Sequence, residues 1–228
     1  ALMGHLGSVA YIGAISIGAS IFSFIYAGLG FLRMGTSGFT AQSYGKRNIP
    51  ESFEFLGRAL FVAVSLGLLL ILLQKPLAWA SFHFIGGTEE VKEIAATYFS
   101  IRIWAAPATL SLYAITGWYI GMQNTRIPMW ITLCVNLVNI AASVYFISHL
   151  GMKADGAALG TLTGQYCGLI LAVVFLSSNL KRILKYWSLK IILNLQAMFR
   201  YMKVNTDLLI RSLILTGSFY FFNAISAS

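Results

Sequence analysis

Long apolar stretches alternate with short polar connections along the chain, and this pattern predicts a series of membrane-spanning helices. The clearest stretch, 129–150, carries no charged side chain over 22 residues. At ~1.5 Å per residue a helix of that length spans ~33 Å, enough to cross a hydrocarbon core of ~30 Å. Similar stretches occupy 9–32, 59–73, 89–122, 156–176 and, in part, 208–228.

A polar stripe runs along the helix predicted for 129–150. Thr132, Asn136, Asn139 and Ser143 follow one another at spacings of four, three and four, so their side chains fall within ~60° of arc. One interpretation is hydrogen bonding between helices, which Asn, Ser and Thr commonly provide in membranes. The other is the lining of a central cavity that binds an ion or a solute. The stripe alone leaves both open.

Glycine recurs every fourth residue in the stretch 156–176, at positions 156, 160, 164 and 168. That spacing aligns the four glycines on one helix face and predicts close packing against another helix. Thr161 and Gln165 each follow one of these glycines and lie on the adjoining face. Packing is the favoured use of the glycines, and lining a pathway is the favoured use of Gln165.

Helix boundaries are marked by proline and by capping residues. Pro50, followed by Glu51, predicts a helix start, and Thr88 predicts an N-cap before an acidic first turn. Pro107 interrupts the stretch 89–122 and predicts a kink, because proline removes one backbone hydrogen bond. Arg102 is expected to reach the membrane interface from the outer end of that helix. The segment 35–48 is expected to continue the helix that precedes it.

Composition supports a membrane protein and excludes several other classes. Hydrophobic residues make up 58% of the chain and charged residues 10%, and the mean hydropathy is +0.77. A soluble domain of this size needs a more highly charged surface. The 16 basic residues outnumber the 7 acidic ones, and we attribute this excess to membrane orientation and not to nucleic-acid binding. Cys134 and Cys167 lie in apolar stretches and predict neither a disulfide nor a metal site.

The basic residues also predict which loops face the cytoplasm. Ten of them lie on the side of the loops after the second, fourth and sixth spans: Lys46, Arg47, Arg58, Arg126, Lys181, Arg182, Lys185, Lys190, Arg200 and Lys203. Lys75, Lys92 and Lys153 lie on the opposite side. By the positive-inside rule the first side is cytoplasmic. Residues 179–203 mix these charges with apolar side chains, as a helix lying on an anionic leaflet does.

No arrangement of catalytic residues is present. Neither a Ser/His/acid or Cys/His set nor a metalloprotease motif occurs, and no phosphate-binding glycine loop precedes a basic residue, so neither an enzyme nor direct ATP use is predicted. No cofactor or metal is expected. The seven acids all lie near helix ends or in loops. A coupling carboxylate at mid-membrane is therefore expected outside these residues.

Five stretches in the same order resemble the N-terminal half of a transporter of the MATE (multidrug and toxic compound extrusion) family, DinF-like branch. They are MGHLGSVAYIGAISIG, GTSGFTAQSYGKRN, RIWAAPATLSLYAITGWYIGMQNTRIPM, NLVNIAASVYFI and ADGAALGTLTG. The resemblance implies an all-α polytopic membrane protein with about twelve helices in two six-helix lobes. The implied activity is export of amphipathic, often cationic, organic compounds in exchange for Na⁺ or H⁺.

On this resemblance the chain divides into three parts. Residues 1–178 form an N-terminal transmembrane lobe, from the end of helix 1 through helix 6. Residues 179–203 form a basic cytoplasmic linker, and residues 204–228 begin helix 7 of a C-terminal lobe. The expected partners are small organic substrates, the lipid bilayer and that second lobe, in the inner (plasma) membrane.

The resemblance also implies where the site lies. The acidic residue that the family carries in its first helix would fall just before Ala1, and some relatives have an acid where this chain has Ser143. The cavity lining predicted for this lobe is therefore polar and uncharged: Tyr113, Thr116, Asn136, Asn139, Ser143, Thr161 and Gln165.

Two alternative functions remain at this stage. A flippase for a lipid-linked saccharide would share the architecture and would need several basic residues in the cavity; only Arg33 and Arg102 are candidates. A non-transporting membrane scaffold is the alternative from another class.

Overall fold

The computed structural model describes residues 9–84, 88–178, 192 and 194–226. The described part of the chain is helical apart from short connections, which confirms the predicted all-α class. Its α-helices, in chain order, are α1 (Val9–Leu29), α2 (Phe31–Gly45), α3 (Ile49–Leu72), α4 (Gln74–Phe84), α5 (Glu89–Arg102), α6 (Ala106–Gly121), α7 (Arg126–Ser148), α8 (Ala154–Ser177) and α9 (Leu195–Ser226).

Four helical segments within the described residues are long and apolar enough to cross a membrane. They are Tyr11–Gly45, Ile49–Leu72, Arg126–Ser148 and Ala154–Ser177. The first of them joins α1 and α2, as expected for a helix that continues past residue 32. The predicted span 89–122 is present as α5 and α6, separated by the 3₁₀ turn Ile103–Ala105.

The capping residues begin helices where the sequence predicts. The Asn48 side chain accepts a hydrogen bond from the Glu51 amide at 3.4 Å, with Pro50 in the first turn of α3. Thr88 accepts from the Val91 amide at 3.5 Å and begins α5. Each side chain pairs a backbone donor that the first turn of a helix leaves free.

Pro107 lies in the first turn of α6, directly after the 3₁₀ turn. Proline has no backbone N–H and cannot donate a helical hydrogen bond. The α-helix accordingly stops at Arg102, and a new one, α6, begins at Ala106. The predicted kink is therefore confirmed as a short 3₁₀ break. The stretch after α3 contains a further helix, α4, in which the exposed Trp79 ring stacks on His83 with ring centroids 5.4 Å apart.

Helices α7 and α8 form an antiparallel pair that meets along the four predicted glycines. A Cβ atom at Gly164 would lie 2.8 Å from the Val135 carbonyl oxygen, and one at Gly160 would lie 2.8 Å from the Ser143 amide nitrogen. Only a residue without a side chain permits this approach. The packing role predicted for the glycines is confirmed.

Helix α9 returns to the lobe and packs on α2. The Tyr201 and Thr36 hydroxyls lie 3.0 Å apart, and Asn205 is fully buried against Gly35. The helix runs without a break from Leu195, so the predicted boundary between residues 203 and 204 falls inside it. Most of the predicted linker, residues 179–191 and 193, lies outside the described residues, and the division into domains stays a prediction.

Candidate functional site

A cavity of about 630 Å³ lies among α1, α2, α6, α7 and α8. Polar side chains occupy much of its wall, interrupted by small and apolar residues. They are Ser23, Tyr26, Arg33, Arg102, Thr109, Tyr113, Thr116, Thr132, Asn136, Thr161 and Gln165. A volume of this size is typical of sites for small organic molecules.

Two interruptions in the helices border the cavity. Gly30, between α1 and α2, and Ala105, at the end of the 3₁₀ turn, both line it. Side chains from both sides of each interruption line the same space. The cavity therefore lies where the two broken spans, α1–α2 and α5–α6, face the α7–α8 pair.

Arg33 reaches the cavity because α2 and α6 pack closely. A Cβ at Gly117 of α6 would lie 2.6 Å from the Arg33 carbonyl oxygen, so the backbones approach each other directly. The Arg33 guanidinium carbon lies 5.5 Å from the ring centroid of Tyr113, which also lines the cavity. This contact has the geometry of a cation–π interaction.

Arg102 also borders the cavity, and its expected position at the membrane interface stays a prediction. It is the last of the 14 residues of α5, directly before the 3₁₀ turn. Its guanidinium carbon lies 5.1 Å from the Phe22 ring centroid and 5.7 Å from that of Tyr98, and Nη1 donates to the Tyr98 hydroxyl. The charged group is thus held among aromatic rings inside the lobe.

Five of the predicted site residues line this cavity: Tyr113, Thr116, Asn136, Thr161 and Gln165. Thr132, which belongs to the predicted stripe on α7, lines it as well. The Thr116 hydroxyl donates to the Leu112 carbonyl oxygen at 2.5 Å and is satisfied by its own helix. The Asn136 side chain is exposed to the open space.

Asn139 and Ser143 lie on the side of α7 that contacts α8. Asn139 Nδ2 donates to the Thr161 hydroxyl at 3.0 Å, and Ser143 lies against Gly160. The stripe is therefore divided: Thr132 and Asn136 face the cavity, whereas Asn139 and Ser143 face the helix interface. Interhelical hydrogen bonding is thus seen for Asn139, whereas binding of an ion or a solute beside Thr132 and Asn136 stays a prediction.

Two buried hydroxyls that the sequence did not single out also border the cavity. Tyr26 and Thr109 lie near each other. In the described part of the chain neither hydroxyl makes a hydrogen bond of normal geometry. Tyr26 packs edge to face on Tyr113, with ring centroids 6.4 Å apart. No spacing rule identifies these positions, because they come together only when α1 packs on α6.

A second cavity of about 520 Å³ adjoins the first. It shares Arg33, Thr116, Thr132 and Asn136 with the first cavity and extends to Thr125, in the turn before α7. Together the two cavities form one space along α6 and α7, which extends to the end of the lobe at which α7 begins.

A third cavity, of about 880 Å³, lies where α9 packs on α2 and α3. Its charged lining includes both acids and bases: Lys46, Glu51, Glu54, Arg58, Arg200 and Lys203. Arg58 and Glu54 form an ion pair at 2.8 Å. The residues that α9 contributes to this cavity all belong to the predicted linker, residues 179–203.

The described residues contain no cluster of three or more His, Cys, Asp or Glu side chains that could hold a metal ion. Cys134 and Cys167 are free thiols.

The MatE family model matches residues 1–145 of this chain. DNA damage-inducible protein F of Escherichia coli is 36% identical over 181 residues, which are 79% of this chain and 39% of that protein. A probable multidrug resistance protein NorM of Geobacillus kaustophilus is 25% identical over 194 residues, 82% of this chain and 41% of the relative.

Solved structures share the fold. A MOP superfamily transporter from Pyrococcus furiosus superimposes with a TM-score of 0.82 at 20% sequence identity, covering 98% of this chain and 49% of that one. This chain therefore spans less than half the length of each of these three similar proteins.

Proposed function

This chain belongs to the MatE family of multidrug and toxic compound extrusion transporters, and from that membership we propose that it forms the N-terminal lobe of a transporter that exports amphipathic organic compounds. The observation that carries the proposal is the polar cavity of about 630 Å³ among broken helices in the middle of the lobe. A concave site of this volume with a few polar side chains on its wall suits a small organic molecule.

We further propose that export is coupled to Na⁺ or H⁺ and proceeds by alternating access. All seven acidic residues lie in the described part of the chain, and none lines either cavity beside α7. The coupling carboxylate is therefore supplied from outside these 228 residues, by the helix that precedes α1 in the resemblance or by the second lobe. The cationic substrates that the resemblance implies stay a prediction.

The proposed location is the inner (plasma) membrane, with the turns before α3 and α7 in the cytoplasm. A Cβ at Gly121 would lie 2.6 Å from the Ser37 carbonyl oxygen, so α2 and α6 end side by side and these two turns share one end of the lobe. Lys153 Nζ donates to the Tyr11 hydroxyl at 2.8 Å and marks the other end. Basic residues are more numerous at the end that holds the two turns, and this excess supports the orientation.

The test of the proposed function is transport by the full-length protein in proteoliposomes. Efflux of ethidium, a cation, and of a fluorescent naphthalenesulfonate, an anion, is followed in separate experiments while an inward Na⁺ gradient or a pH gradient is imposed separately. We expect efflux under one of the two gradients and none when that gradient is dissipated by an ionophore. Efflux that is independent of both gradients would contradict ion coupling.

A lipid-linked saccharide flippase is a second candidate, since Arg33 and Arg102 both border the cavity. Arginine binds phosphate through paired hydrogen bonds, and such a substrate carries a pyrophosphate. Two arginines are fewer than the several that the flippase alternative requires. Gradient-independent movement of a fluorescent polyprenyl-linked saccharide in the same proteoliposomes would favour it over export.

A further inference from the structure

The charge in the cavity is positive, and nothing in the described lobe neutralises it. Arg33 and Arg102 line the cavity, whereas no aspartate or glutamate among the described residues does. Neither arginine forms an ion pair within the described residues. Two like charges that share one partly enclosed space repel each other, and Arg102, whose Nε is buried, also loses hydration. Such an arrangement is stabilised when an anion enters.

Neighbouring aromatic rings orient the guanidinium group of Arg102. The contacts with Phe22 and Tyr98 fix the plane of its guanidinium group. Its Nε is buried and has no hydrogen-bond partner in the described residues, while Nη1 is used by Tyr98. A guanidinium group offers five N–H donors, so most of its capacity is left for a ligand.

Arg33 provides a second, more adaptable cation. Its side chain is exposed to the open space and contacts the face of Tyr113. Tyr26 and Thr109, whose hydroxyls lie near each other, belong to the same wall. Arginine, hydroxyl and amide donors aimed into one cavity match the oxygen atoms of an anionic group.

We propose that Arg33 and Arg102 bind the anionic group, a carboxylate, sulfonate or phosphate, of an amphipathic compound whose apolar part lies against Tyr26 and Tyr113. The inference rests on the proposed export function and assigns its substrate class: organic anions instead of the organic cations that the family resemblance implies. The same chemistry is offered by a soluble organic anion and by an anionic lipid headgroup, and the experiment separates these two sources.

The probes are 1-naphthalenesulfonate and 1-naphthyltrimethylammonium, which share a ring system and carry opposite charges. Equilibrium binding to the full-length protein in phosphatidylcholine nanodiscs is measured by calorimetry. We expect the sulfonate to bind and the ammonium compound to bind at least about tenfold more weakly. Arg102→Gln and Arg33→Gln should each weaken sulfonate binding by about tenfold or more, because each removes charge-assisted hydrogen bonds.

The variants separate charge from folding. Arg102→Lys keeps the positive charge and should lose less affinity than Arg102→Gln. Arg33→Gln changes an exposed side chain, so it tests the site even if Arg102→Gln fails to fold. Arg47→Gln is the matched control, because Arg47 is exposed in the turn before α3 and lines none of the cavities described above. It should leave sulfonate binding unchanged.

Replacing part of the phosphatidylcholine by phosphatidylglycerol identifies the source of the anion. Competition by phosphatidylglycerol that both Arg→Gln variants abolish assigns a lipid headgroup. Undiminished sulfonate binding assigns a soluble anion. Either result supports the anion site.

Equal or tighter binding of the ammonium probe, or sulfonate binding unaffected in folded Arg variants, would overturn the anion site. Gradient-driven ethidium efflux without sulfonate binding would sink this inference and leave the export function standing. Sulfonate binding without gradient-driven efflux of either ethidium or the sulfonate would overturn the export function and leave the anion site standing.

Discussion

The Asn139 side chain donates a hydrogen bond to the Thr161 hydroxyl, 3.0 Å away, and so joins α7 to α8 directly beside the cavity. Thr161 in turn donates to the Ala157 carbonyl oxygen of its own helix. Asn136, one turn earlier on α7, lines the cavity. Two neighbouring amides therefore have different surroundings, and substitution can distinguish their roles.

Asn136→Leu is expected to reduce transport without reducing the amount of folded protein. The change roughly preserves side-chain volume and removes a donor and an acceptor from the cavity wall. Asn139→Leu instead removes one interhelical hydrogen bond, for which membrane double-mutant cycles average ~0.6 kcal/mol. It should alter transport less than Asn136→Leu does. The measurement is substrate efflux by the full-length transporter, normalised to the amount of protein in the membrane.

Val138→Leu is the control, since Val138 lines none of the cavities described above. A second check is the double variant Asn139→Leu with Thr161→Val, whose stability loss should be smaller than the sum of the single losses. Equal transport in the Asn136 and Asn139 variants, at equal expression, would contradict the division of the stripe.

The division could not be predicted from spacing alone. Residues three apart on a helix differ by only ~60° in direction, so one rotation of α7 determines which amide meets the cavity and which meets α8. That rotation is fixed by the glycines of α8, and the sequence correctly assigned those to packing. The sequence named Arg102 as a candidate for the cavity but could not predict its contact with Phe22, because hydropathy does not contain the side chains of other helices. The helices themselves, their caps and the break at Pro107 follow from local rules.

Gly164→Ala is expected to loosen the α7–α8 pair. The added Cβ would lie 2.8 Å from the Val135 carbonyl oxygen and 3.0 Å from Asn139 Cβ, so the helices must separate. Overpacking of this kind costs about 1–3 kcal/mol. Thermal unfolding of the full-length protein in detergent should therefore begin at a lower temperature than in the wild type.

Gly13→Ala is the matched control on α1, because a Cβ there would meet no atom within 4 Å. Alanine also favours helix by roughly 1 kcal/mol relative to glycine, so the midpoint should stay the same or rise. A lower midpoint for Gly13→Ala than for Gly164→Ala would show that the close approach of α7 and α8 is not what limits stability.

Gly35→Ala is expected to disturb the contact between α2 and α9. A Cβ at Gly35 would collide with Asn205, which is fully buried and whose Nδ2 donates to the Tyr201 carbonyl oxygen at 2.8 Å. The amide cannot swing into solvent, so α9 must shift. Asn205→Ala should partly rescue Gly35→Ala, because it removes the side chain that collides. The readout is the unfolding midpoint of the single and double variants; additive losses would contradict direct contact.

Cysteine labelling in cells tests the proposed orientation. Arg47 and Arg126 lie in or beside the turns that precede α3 and α7, and both side chains are exposed. Lys153 lies at the other end of the lobe, where its Nζ contacts the Tyr11 hydroxyl. In a full-length transporter without other accessible cysteines, we expect Lys153→Cys to react with a membrane-impermeant maleimide applied outside. Arg47→Cys and Arg126→Cys should react only after the membrane is permeabilised, because basic residues concentrate on the cytoplasmic side. The inverse pattern would reverse the orientation. Reaction of all three cysteines from outside would place both ends of the lobe on one side of the membrane and would contradict the proposed topology.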